Sequence, residues 1–139
     1  EKIKTILKDD QTGFLLITTA KSAPIRSSFK IVDELKRMDF PLEAVVFNRC
    51  LAEEFSGESP STEELDGQKM PDANSAEFYL LSYRRLWAQN INSKRNLDNK
   101  LIECFGQIPR VAQIPEFDDT SSSLERLTAM SKSMATQLC

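Results

Sequence analysis

The residues best suited to chemistry are Phe47-Asn48-Arg49, which close the apolar run Ala44-Val45-Val46-Phe47. An asparagine carries one acceptor and two donors on a planar amide. That set matches the N6/N7 edge of adenine, the pairing by which proteins read adenine in a DNA groove. Guanine-specific proteins use Asn-Lys-x-Asp instead, with the carboxylate reading the guanine amide. Here Arg49-Cys50-Leu51 follows with no aspartate, which favours adenine. The competing reading is a strand-end asparagine that satisfies a turn. The tripeptide alone leaves both open.

Other chemistries lack their parts. A Walker loop needs Gly-x-x-x-x-Gly-Lys-[Ser/Thr], so that backbone N–H groups can cradle phosphates. The four glycines, Gly13, Gly57, Gly67 and Gly106, stand in no such pattern and form no GxGxxG. With no histidine in the chain, Ser-His-Asp and Cys-His catalysis is removed. Cys50, Cys104 and Cys139 are widely spaced and form no CxxC pair, so no zinc pattern is present. They read as reduced thiols of a cytoplasmic protein. Asp9-Asp10 precedes a strand, whereas the acidic pair of a receiver domain follows its first strand. No catalytic or metal-ligating residue is expected here.

The elements that must position Asn48 come next. Phe14-Leu15-Leu16-Ile17-Thr18 and Ala44-Val45-Val46-Phe47-Asn48 are short, unbroken apolar runs, suited to strands of a parallel sheet covered on both faces. Between them Ile25, Phe29, Val32 and Leu35 mark one face of a helix, with Ser22 as its expected cap and Pro24 in its first turn. Strand, helix, strand makes a right-handed βαβ unit. Residues 51–75 are rich in Glu, Asp, Ser, Gly and Pro, and are expected to form a mobile acidic loop. A long helical pattern runs from about Ala76 to Phe105, with a break expected near Asn92 because Asn90, Asn92 and Asn96 weaken its middle. Gly106 is a natural stop. Arg110 to Pro115 reads as a third strand. A last helix follows, with Leu124, Leu127, Met130, Met134 and Leu138 on one face, Thr120 as its cap, and Asp118 and Asp119 near its positive end. The Trp87, Tyr83 and Phe78 cluster reads as helix packing, and Arg84, Arg85, Lys94, Arg95 and Lys100 as a solvated face able to pair with the acidic loop.

The expected fold is therefore α/β, a partial parallel sheet of about three strands with flanking helices, in one domain over 1–139. The length of 139 residues suits one modest core. A net charge of −3 argues against a nucleic-acid binder, which usually carries a basic face. No apolar run nears the roughly 20 residues that span a bilayer, and Glu1-Lys2-Ile3-Lys4 leads into no signal core. Glu1 to Leu7 reads as the end of a helix already under way, and a piece of a longer protein is expected.

Several blocks together resemble the ArsA-like anion-transporting ATPases, which include the guided-entry ATPases. These blocks are Thr12 to Thr18, the Ile25 to Leu35 helix with Glu34-Leu35, Val45-Val46-Phe47-Asn48-Arg49, and Leu101 to Pro115. The resemblance covers most of the chain outside Leu51–Ser75. It implies the later half of a P-loop NTPase fold, with Asn48 as the adenine ligand and Pro115, Glu116 and Phe117 bordering the base. Arg49 would stack on the base or pair with an acid at a subunit contact, and a surface salt bridge is the equal alternative. The resemblance also implies ATP and magnesium for the whole protein, with the phosphate and magnesium ligands in an N-terminal half. A possible homodimer and membrane contact only indirectly through a partner go with it too. Ala20-Lys21 and Ser27-Ser28 stand where the family usually has Pro-Glu and Glu-Thr, and the family's metalloid-binding cysteines have no counterpart. The alternative is a non-catalytic α/β interaction module of that family's fold.

Overall fold

The computed structural model describes residues 2–9, 11–55, 60–61, 65–117 and 122–138. In order, the elements are α1 (Lys2–Leu7), β1 (Phe14–Thr18), α2 (Ser22–Met38), β2 (Leu42–Cys50), a 3-10 turn (Ala52–Phe55), α3 (Ala76–Phe105), β3 (Arg110–Pro115) and α4 (Ser123–Leu138). The expected cap at Thr120, the dipole role of Asp118 and Asp119, and Cys139 lie outside the described residues.

Strands β1, β2 and β3 are all parallel and adjacent in that order, so the fold is the expected α/β sheet flanked by helices. Side chains alternate between the two faces of a strand. Leu16, Val45, Phe47 and Cys50 point to one face and meet Ile25 and Val32 of α2 and Leu97 and Leu101 of α3 in the main core. Val46, Ala112 and Ile114 point to the other face and pack against Met130, Met134 and Leu138 of α4.

α2 buries the face expected of it, Ile25, Val32 and Leu35. Its cap differs from expectation. Lys21 is the N-cap, without a side-chain bond, and Ser22 is already helical, with Pro24 still in the first turn. The helix ends where Asp39 turns left-handed (φ 58°) and Phe40 N–H donates to Leu35 C=O at 2.9 Å. Phe40 then stacks on Phe14, centroids 4.9 Å apart.

α3 corrects a second expectation, since it runs unbroken for 30 residues, about 45 Å. Asn90, read as a weak point, is buried and donates to Glu54 Oε1 at 2.9 Å. An amide that is satisfied by a distant side chain stops competing for its own backbone. Ser75 caps this helix by accepting the Phe78 N–H at 3.0 Å, and Gly106 ends it at φ 75°. Lys100 ties α3 to α2 through Asp33 at 2.6 Å.

α4 lies over β3 and seals that edge of the sheet. Gln137 Oε1 accepts the Gln113 N–H (2.7 Å), and Gln137 Nε2 and Ser133 Oγ both donate to Gln113 C=O. Fastened there, the helix turns Leu124 and Leu127 to the flank away from Ser133 and Gln137, and they are 75% and 62% exposed. The full five-residue apolar seam expected for this helix is therefore not buried. On the same side of the sheet Leu15 and Ile17 of β1 are also exposed.

Candidate functional site

All five residues singled out from sequence collect at one end of the sheet. Opposite Phe47 on β2 stands Gln113 on β3, and opposite Cys50 stands Pro115. Two residues, Asn48 and Arg49, therefore face one, Ile114, and the strand bulges. Arg49 sits at φ 58° within the bulge. A left-handed arginine is strained, and such strain persists only where the surroundings over-determine it.

Three contacts hold this shape on the solvent side. Asn48 Oδ1 accepts the Arg49 N–H at 2.9 Å. Glu116 N–H donates to Cys50 C=O at 2.9 Å, carrying the strand pairing past the end of β3. The Arg49 guanidinium then grips Glu116 Oε1 through Nε (3.1 Å) and Nη2 (2.9 Å). That ion pair is half-exposed on both sides and contributes little stability. Its consequence is orientation, since it fixes the loop after β3 against the end of β2. Phe117 tucks its ring against the Val46, Ala112 and Ile114 cluster. Of the two readings of Asn48, the turn-satisfying bond is present. The same carbonyl oxygen has a second lone pair, and the amide carries two N–H donors, so the bond leaves the amide competent to meet a base.

Beneath the bulge lies a polar network that the sequence concealed. Lys94 of α3, read as part of a solvated face, is only 14% exposed and pairs with Glu54, whose side chain has no exposed surface. The same ammonium donates to Gln113 Oε1 at 2.5 Å and sits 5.3 Å from the centre of the Phe47 ring. Glu54 Oε1 also accepts the Leu51 N–H (3.1 Å) and Asn90 Nδ2 (2.9 Å). Burial pushes the Cys50 thiol up to about 11, against the pull of the Lys94 charge. Burial likewise raises Asp98, one turn along α3. The expected pairing of the basic face with the acidic segment is real at Lys94. Arg85 adds to it by donating to Leu65 C=O and Gln68 C=O at 3.0 Å each.

The shallow clefts lined by Pro41, Glu43 and Phe105 open at the other end of the strands. Ligands of open parallel sheets bind beyond the carboxyl ends, so those clefts do not displace the Asn48 end as the candidate. For magnesium, the described residues offer no group of three His, Cys, Asp or Glu side chains that could hold the ion. None of them is long and apolar enough as a helix to cross a membrane.

Fold and site together define an α/β protein with a polar constellation at the carboxyl ends of two neighbouring parallel strands. A scan against protein-family models finds no match, and a search of curated proteins returns no significant match.

Proposed function

We propose that this chain supplies the adenine-binding side of an ATP site in an ArsA-like cytoplasmic ATPase. The phosphate-binding loop and the magnesium ligands would come from an N-terminal half of the same protein. One observation carries the proposal: Asn48 and Arg49 form a strained bulge at the end of β2, clamped to Glu116 at the end of β3. The bulge sets the half-buried Asn48 amide at that strand end, next to Pro115 and the segment that carries Phe117.

Calorimetry of ATP on the full-length protein, wild type against Asn48→Ala, tests the proposal. A two-point amide–adenine contact is worth about 1–3 kcal/mol, so affinity should fall by about fivefold or more. Equal affinity of the two proteins removes the base-reading role. The 139-residue chain alone should show no ATP turnover, and steady turnover in the purified chain would contradict the reading.

The second reading is a non-catalytic interaction module. The exposed Leu15, Ile17, Leu124 and Leu127 on one side of the sheet favour it, as does Lys21 at the start of α2, where the family has an acid. Full-length protein that lacks ATP binding while keeping a cooperative fold would select this reading.

A further inference from the structure

The five site residues lie on two backbone segments that have no covalent reason to stay in register. Their solvent-side contacts are half-exposed, yet the bulge contains a left-handed arginine that needs firm support. That support comes from the opposite face, where the polar contacts gather on Lys94 and Glu54. Its ammonium touches β3 through Gln113, the turn after β2 through Glu54, and the ring of Phe47, the last residue before the bulge. Glu54 in turn holds the Leu51 N–H, immediately after Cys50, and Asn90 of α3. The residues on either side of Asn48-Arg49-Cys50 are thus fixed by one buried ion pair.

A buried ion pair is a poor way to gain stability, because apolar side chains of the same volume often do as well or better. What it supplies is a defined geometry. We infer that Lys94, together with Glu54, is a positioning pair for the base site, holding the Asn48–Arg49 bulge and the Pro115–Phe117 loop in the arrangement that reads adenine. It also makes the first turn of the acidic segment part of that site. The inference rests on the base-binding reading above for its ligand, but its geometric part does not.

The test therefore has two arms, both using the Glu54→Gln/Lys94→Met double variant, which leaves no buried charge unpaired and is confirmed as folded by circular dichroism. Without nucleotide, amide exchange at Glu116 should quicken by tenfold or more while β1 and α2 stay unchanged. Exchange at the wild-type rate overturns the inference outright. With nucleotide, the full-length double variant should lose its preference for ATP over GTP by about tenfold. A purely structural role would lower both affinities together and keep their ratio, which also overturns the inference. If wild type and Asn48→Ala bind ATP equally, the base-binding reading fails instead, and the exchange arm still decides the geometry.

Discussion

Replacing Lys94 with methionine removes one ammonium and keeps most of the side chain's length, so the cost depends on what stays behind. Glu54 has a fully buried side chain and Lys94 is 14% exposed. The orphaned carboxylate would keep only the Leu51 N–H and Asn90 as donors. Removing one partner of a buried pair costs about 3–5 kcal/mol. Against a total stability of about 5–15 kcal/mol, Lys94→Met should leave the protein marginal. The Glu54→Gln/Lys94→Met variant strands no charge and should fall within about 2 kcal/mol of wild type. A double-mutant cycle should then return a coupling of at least about 1 kcal/mol, the margin by which the Lys94→Met loss exceeds that of the double variant. Urea unfolding at pH 7, followed by circular dichroism and Trp87 fluorescence, gives all four corners. A Lys94→Met cost below about 1 kcal/mol, the range of exposed pairs, would refute the reasoning, because it would place Lys94 in solvent.

Three further outcomes follow from local geometry. A Cβ added at Gly13 would meet Glu43 Cγ at 2.3 Å and Cβ at 3.2 Å. Gly13→Ala should therefore cost about 1 kcal/mol or less in urea unfolding, because both residues are exposed and the Glu43 side chain can move, and a second change, Glu43→Ala, should recover part of it. No recovery would show that the clash lies elsewhere. Cys50 is fully buried and its thiol is held up to about 11. Between pH 9 and 11 the unfolded chain releases this proton and the folded chain keeps it, so stability falls as pH rises, by about 1.4 kcal/mol per pH unit for one proton. Unfolding curves of wild type and Cys50→Ala should converge or cross over that range, and parallel pH profiles would contradict the assignment. Arg49→Gly relieves a left-handed side chain, worth about 1 kcal/mol, and loses a half-exposed ion pair worth about 0–1 kcal/mol. Its stability should stay within about 1 kcal/mol of wild type, and a larger loss would mean the Glu116 clamp is stronger than an exposed pair.

The sheet was legible because its strands are short apolar runs buried on one or both faces, and β3 occupies Arg110–Pro115 as expected. α2 was legible because a 3.6-residue period records burial directly. What the sequence hid depends on contacts between distant positions. Asn90 and Lys94 read as a weak point and a solvated charge, since their partner Glu54 lies some forty residues earlier in an acidic stretch. Nothing local distinguishes an acid that folds inward from its solvated neighbours. The periodic seam of α4 overstated burial for a related reason: a helix pattern tells which side is apolar, not how wide a floor lies beneath it. With α4 anchored over the β3 edge by Gln137, the flank bearing Leu124 and Leu127 reaches past the residues that α4 covers. The five candidate residues were singled out by type and by resemblance, while the bulge that brings them together follows from the register between β2 and β3.

That register also decides how the end of β2 is held. The bulge inserts one residue into β2 just where the strand leaves the core, and the extra residue is an arginine rather than a glycine. Glycine would take that conformation at no steric cost, so the side chain itself must matter. In this structure it closes on Glu116 above the sheet, while Lys94 closes on Glu54 below it. Two ion pairs of unlike exposure thus grip the same strand end. The upper one is half in water and weakly held, so opening it costs little. Opening the lower one would strand a charge in the interior. One buried and one half-exposed pair thus hold the bulge from both faces, so losing the exposed pair leaves the Glu54–Lys94 anchor of the strand end in place.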